Sequence, residues 1–125
     1  MKVLTVCQPW AWAIIAGVKR VENRRWATAH RGELAIHAGL STRFLDADSR
    51  RRWRETYKCE LPESFVFGKI IGVVDVIDCV PRENLWYDLL SDPFAEGPVC
   101  WVLENAKTVP HVKCSGKQGI WTIDD

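Results

Sequence analysis

Between residues 17 and 24 the chain reads Gly17-x-Lys19-x-x-Glu22-x-Arg24, bringing a base, an acid and a guanidinium into one short stretch. A lysine set among apolar neighbours where a helix meets a strand loses part of its hydration. That lowers its pKa and suits it to act as a base or to contact a phosphate. Arg24 stands two residues from Glu22, so in a strand their side chains share a face. The planar guanidinium could hold a ligand carboxylate or phosphate while Glu22 fixes its orientation. Lys19 is separated from Glu22 by an odd number of residues, which in a regular strand would send it to the other face. A shared site therefore requires Lys19 to lie in a turn or on a bulge. The plainer alternatives are a solvated lysine beside Glu22 and an ordinary ion pair between Glu22 and Arg24.

Trp10 and Trp26 flank this stretch. Either ring could stack on a base or fill a core, whereas Trp12 and Trp121 read as core. His37, inside an apolar run, reads as a hydrogen-bonded core histidine. A metal site would have to draw on Cys7, His37, Cys79, Cys100, His111 and Cys114. No C-x2-C pair is present and only His111-x-x-Cys114 has close spacing, so no metal and no cofactor are expected. Neither a glycine-rich phosphate loop nor a nucleophile elbow occurs.

The elements that must position these residues can be read in order. Lys2 to Val6 alternates like a strand, and a helix follows. Pro9 fits its first position, where a missing N–H costs nothing, and Gly17 fits the left-handed residue that closes it. Lys19 to Trp26 and Gly32 to Ala38 read as strands. Ser41 to Tyr57 has helical spacing with Ser41 or Thr42 as cap, charged around most of its circumference and so expected on the surface. Gly68 to Val80 is the strongest strand, with Gly72 marking a bend or bulge and Pro81 ending it. Arg82 to Leu90 reads as a short helix or loop. Val99 to Glu104, a broken Thr108 to Val112, and Gly119 to Ile123 complete the strands. Short strands with a few helices predict an α+β chain whose sheet curls into a small barrel.

Gly17, Lys19, Glu22 and Arg24 match the signature of the ASCH domain, and the chain resembles that family beyond the motif. Gln8-Pro9-Trp10-Ala11, Arg31-Gly32, Ile36-His37-Ala38 and Gly116-Lys117-Gln118-Gly119-Ile120-Trp121 are similar to its other landmarks, in the same order. The resemblance covers essentially the whole chain and implies one ASCH domain over residues 1–125. It also implies a small PUA-like β-barrel of about five to seven strands with two or three flanking helices. PUA domains bind RNA. The enzymatic branch of the family consists of amidohydrolases that remove the acyl group from N4-acetylcytidine. Those enzymes resemble this chain at Gly17, Lys19 and Arg24, but a threonine nucleophile, activated by the lysine, stands where this chain has Glu22. They also use a second, distant glutamate, for which Glu83 or Asp78 are candidates here.

At 125 residues, 47% hydrophobic and 26% charged, the composition is that of a globular domain able to bury a core without staples. Five cysteines without paired spacing and no segment resembling a signal peptide point to a reduced cytoplasmic protein. No apolar run approaches the roughly 20 residues that would span a bilayer. A net charge of +1 is far from that of a nonspecific nucleic-acid binder. The basic residues nevertheless cluster: Lys19, Arg20, Arg24, Arg25 and Arg31 form one group, and Arg50, Arg51, Arg52, Arg54 and Lys58 another. A local basic groove on a nearly neutral protein fits that distribution.

The leading expectation is a module that binds RNA or a modified nucleotide or nucleoside in a cleft holding Lys19, Glu22 and Arg24, with Trp10 or Trp26 stacking on a base. The alternatives are an amidohydrolase in which Lys19 and Glu22 activate water toward an N-acyl nucleoside, and a protein-interaction module using exposed tryptophans. A concave, polar-lined cavity would separate the first two from the third. The motif is equally compatible with RNA and DNA, and with any oligomeric state.

Overall fold

The computed structural model describes residues 1–124. Its elements follow in the order β1 (Lys2–Val6), α1 (Trp10–Ile15), β2 (Val21–Arg24), β3 (Gly32–Ala38), α2 (Ala47–Tyr57), β4 (Lys69–Pro81), β5 (Val99–Lys113) and β6 (Ile120–Thr122), with single 3₁₀ turns at Arg82–Asn84 and Tyr87–Leu89. The strands form one six-stranded sheet in the order β2-β5-β4-β3-β1-β6. All neighbours are antiparallel except β1 and β3. The fold is α+β, a curled half-barrel with two helices.

Curling comes from irregularity. The register between β4 and β5 shifts three times, and that between β3 and β4 once. Each extra residue bends the strand and increases its twist. Gly72 sits at the first β4 shift, and a Cβ there would lie 2.6 Å from the Lys107 carbonyl oxygen and 2.7 Å from two Ile15 side-chain carbons. Only a glycine lets α1 and β5 approach β4 this closely. Inside the curl, Ala11, Ile14 and Ile15 of α1 pack on Leu4, Val6, Leu34, Ile36, Val74, Trp101 and Leu103. Burying each larger aliphatic side chain contributes about 1.5–3 kcal/mol, and Trp101, fully buried, is the largest residue in this core.

Four expectations are corrected. Pro9 caps α1 rather than opening it. The second helix begins after Asp46, not at Ser41 or Thr42, because the Asp46 carboxylate accepts a hydrogen bond from the Ser49 amide at 2.7 Å and so satisfies a donor that the helix itself cannot. Residues 99 to 113 form one long strand instead of two. Asn105, at φ +58°, absorbs the irregularity that reads as a break in the sequence. β2 is shorter than the stretch from Lys19 to Trp26 and leaves both ends outside the sheet.

Candidate functional site

The site begins where α1 ends. Gly17 adopts φ +80°, and the amides of Val18 and Lys19 both donate to the Ala13 carbonyl at 3.0 Å. This tight reversal leaves Lys19 outside β2 and turns its side chain inward, to 3% exposure. Its ammonium donates to Glu22 Oε1 at 2.9 Å and to the Val21 carbonyl, and it lies 5.9 Å from the centre of the Phe94 ring. Arg24 Nε donates to Glu22 Oε2 at 2.8 Å. One carboxylate thus holds both cations, one on each oxygen.

Arg24 also reaches across the open side of the half-barrel. Its Nη2 donates to the Thr5 carbonyl of β1 at 3.2 Å, linking an edge strand to the strand beside the opposite edge. Glu22 is 6% exposed. Burial alone would raise its carboxyl pKa, but the charges of Lys19 and Arg24 and their hydrogen bonds outweigh burial and hold it below the ordinary glutamate value.

Around this triad lies a cavity of about 610 Å³, lined by Thr5, Val6, Cys7, Trp10, Lys19, Glu22, Asn23, Arg24, Gly39, Leu40, Ser41, Tyr57 and Glu96. Trp10 reaches it packed edge-on against Phe44 and Trp53. Trp26 does not line it. That ring sits edge-on against Trp101 and borders a neighbouring depression with Arg24, Arg25, Glu96 and Pro98. Asp78 is engaged elsewhere, by the Trp86 indole N–H and the Cys79 amide, and neither it nor Glu83 lines the cavity. The second acid there is Glu96.

Glu96 has no motif around it, and its position is made by Asn23. The Asn23 side-chain oxygen accepts from the Glu96 and Gly97 amides at 2.9 and 2.8 Å, while its nitrogen donates to the Phe94 carbonyl at 2.7 Å. One amide side chain on β2 therefore fastens the loop of residues 94–97. Tyr57 stacks on Phe94 with ring centres 4.0 Å apart and brings its hydroxyl to 3.4 Å from Glu96. Burial, and then the Glu96 charge, push that hydroxyl's pKa up, so it stays protonated and can donate. Burial, followed by Glu22, likewise raises the Cys7 thiol.

The other sequence candidates take structural places. His37 is 1% exposed and bonded at both ring nitrogens. In the middle basic group, Arg50 binds the carbonyls of Leu45, Pro62 and Glu63. Arg51 and Arg52 pair with Asp48. Among the described residues, all five cysteines are free, no group of three His, Cys, Asp or Glu could hold a metal, and no helix is long and apolar enough to cross a membrane.

The Glu22 arrangement predicts a pH dependence. Its carboxyl titrates below the 4.5 of an ordinary glutamate, so above that pH both folded and unfolded forms are ionised and the full stabilisation is present. Below it the unfolded carboxylate takes up a proton first. Stability then falls until the folded group protonates too. Urea midpoints taken from about pH 6 down to about pH 3 should drop, and less steeply in Glu22→Gln. Parallel curves for the two proteins would show that another group is responsible.

Comparison with known proteins identifies the family and the fold. A family model described as the ASCH domain matches residues 4–112. The human protein activating signal cointegrator 1 is 30% identical over 97% of this chain, and its mouse counterpart 35% identical over 97%. The chain spans 22% of the length of each. The crystal structure of ASCH from Zymomonas mobilis matches 98% of this chain and 87% of its own, with a TM-score of 0.58 and 13% sequence identity, a likeness of fold. With its motif at the turn from α1 into β2 and its PUA-like sheet, the chain belongs to the ASCH domain family.

Proposed function

We propose that the protein binds RNA or a modified nucleotide, seating one base in the cavity between β1, β2, α2 and the 94–97 loop. The observation that carries this reading is the buried Lys19–Glu22 pair with the half-buried Arg24 beside it, all three lining a cavity that also presents Glu96, Tyr57 and Trp10. Arg24, with a quarter of its side chain exposed, supplies N–H groups to a phosphate or a carbonyl. Glu96 accepts from an exocyclic amine, and Trp10 or Tyr57 offers a ring face. Lys19 and Glu22 act as positioning residues for Arg24. The concavity and the charged side chains that line it favour a small ligand group over a flat protein partner.

The acyl-hydrolase alternative draws less support. A general base works best with a pKa near the working pH, whereas Glu22 is held low and each of its oxygens already accepts a hydrogen bond. No hydroxyl stands at position 22.

Fluorescence titration with short RNAs tests the proposal. Arg24→Gln should weaken binding by about 10- to 100-fold, the scale of a charged hydrogen bond. Arg51→Gln, on the far pair with Asp48 and Glu55, should leave it within about twofold. Equal losses from both would indicate nonspecific attraction and remove the cavity from the account. In the same preparation, N4-acetylcytidine should release no acetate. Release that disappears in Glu22→Gln would establish the hydrolase instead.

A further inference from the structure

Between Glu104 and Asp124 the chain carries Lys107, Lys113 and Lys117 and no acidic residue. Lys113 lies directly across the β4–β5 ladder from Lys69. Like charges in that position repel. None of Lys69, Lys113 and Lys117 has a carboxylate at ion-pair distance among the described residues, and the Lys117 ammonium lies over the Trp121 ring, 5.5 Å from its centre. A set of lysines on neighbouring segments without counter-charges costs stability, and an anionic partner would offset that cost.

The segments that carry these lysines touch two residues of the cavity lining. Gly68, just before Lys69, approaches the cavity residue Leu40 so closely that a Cβ would lie 3.1 Å from its methyl carbon. Gly116, just before Lys117, approaches the cavity residue Thr5, where a Cβ would lie 2.9 Å from Oγ1. The Cys114 amide donates to the Gly68 carbonyl at 3.2 Å, tying the two segments together. Buried His37 completes the anchor. The Cys114 carbonyl, 2.7 Å from Nε2, can only accept, so Nε2 carries a hydrogen, and the Thr5 hydroxyl is hydrogen-bonded to Nδ1 at 3.2 Å.

We infer that Lys69, Lys113 and Lys117 hold the phosphates of a single-stranded polynucleotide whose neighbouring nucleotide occupies the cavity, so that the ligand is a strand rather than a free nucleoside. The inference rests on the proposed function and extends it. Ammonium groups act on phosphates as point charges without base selectivity, and the lysines continue from a cavity of about 610 Å³, large enough for one nucleotide.

The test compares a mixed-sequence RNA octamer with the corresponding mononucleotides, using the parent protein, Lys69→Gln/Lys113→Gln/Lys117→Gln, the matching triple arginine variant, and Arg24→Gln. The octamer should bind the parent at least about tenfold more tightly than mononucleotides. In the triple glutamine variant, octamer affinity should fall about 10- to 100-fold at low salt, and the slope of log K against log salt should shrink by about 2. The arginine variant should retain binding, and mononucleotide affinity should not change. Octamer and mononucleotide binding equally well, with Arg24→Gln weakening both, would overturn the strand while leaving the cavity reading intact. Octamer binding that depends on the lysines but ignores Arg24→Gln would overturn the cavity reading and, with it, the continuous path. Displacement of the octamer by polyglutamate of equal charge as readily as by RNA would replace the polynucleotide with an acidic peptide.

Discussion

Lys19→Ala should destabilise the protein by about 3–5 kcal/mol, the cost of leaving one member of a buried ion pair without its partner. The ammonium it removes is 3% exposed and neutralises a carboxylate that is itself 6% exposed. Arg24 cannot replace it, because Arg24 holds Oε2 while Lys19 holds Oε1 and the Val21 carbonyl. Glu22→Gln should be costly for the converse reason, since it strands the buried ammonium. The double variant Lys19→Ala/Glu22→Gln should lose less than the sum of the single losses, with a coupling of about 1–3 kcal/mol in a urea-unfolding cycle. A Lys19→Ala loss below about 1 kcal/mol would mean that the pair is solvated like a surface bridge. The buried floor of the proposed cavity would then have to be abandoned.

The second large effect belongs to Asn23. Its side chain makes three hydrogen bonds with the loop of residues 94–97, and Asn23→Ala leaves two backbone amides and one carbonyl without that partner. A loss on the order of 3 kcal/mol is expected, water replacing part of what is removed. The replacement Asn23→Asp keeps the acceptor for the Glu96 and Gly97 amides but sets a second acceptor oxygen against the Phe94 carbonyl, where the amide had donated, so it should also destabilise, by about 1–3 kcal/mol. Hydrogen exchange localises the effect. In Asn23→Ala the amides of Glu96 and Gly97 should exchange much faster while those of β3 stay protected. The proposed RNA binding should weaken in parallel, because Glu96 and the Phe94 ring under Tyr57 depend on the same loop. Unchanged exchange at residues 96 and 97 would show that the loop holds itself without Asn23.

Local features of the chain were legible where a single residue type imposes a conformation. Gly17 marks the left-handed end of α1 because a side chain there would be strained, and the odd spacing from Lys19 to Glu22 makes sense only if that lysine precedes the strand, as it does. A mostly apolar run from Leu34 to Ala38, buried throughout, identifies β3, and Gly72 marks a bulge. The start of α2 was legible in principle, since Asp46 stands three residues before Ser49 in a capping arrangement. The earlier Ser41 and Thr42 offered the same chemistry and drew the boundary away. Trp10 and Trp26 look alike in sequence. One lines the cavity and the other packs outside it, because their rings meet different partners, Phe44 with Trp53 in one case and Trp101 in the other.

The sequence by itself determined the α+β class, the family signature, and a lysine, glutamate and arginine close enough to interact, since these depend on neighbours along the chain. The tertiary structure alone decided what they do together. Glu96 is 74 residues from Glu22 and enters the cavity only because Asn23 binds the Glu96 and Gly97 amides across the fold. Tyr57 arrives from α2 by stacking on Phe94. Whether Lys19 is solvated or buried is likewise fixed by the Phe94 ring above it and the Glu22 carboxylate beside it. Burial and electrostatic pairing depend on distances through space, and those are set by how a six-stranded sheet curls around α1, which no local spacing in the chain encodes.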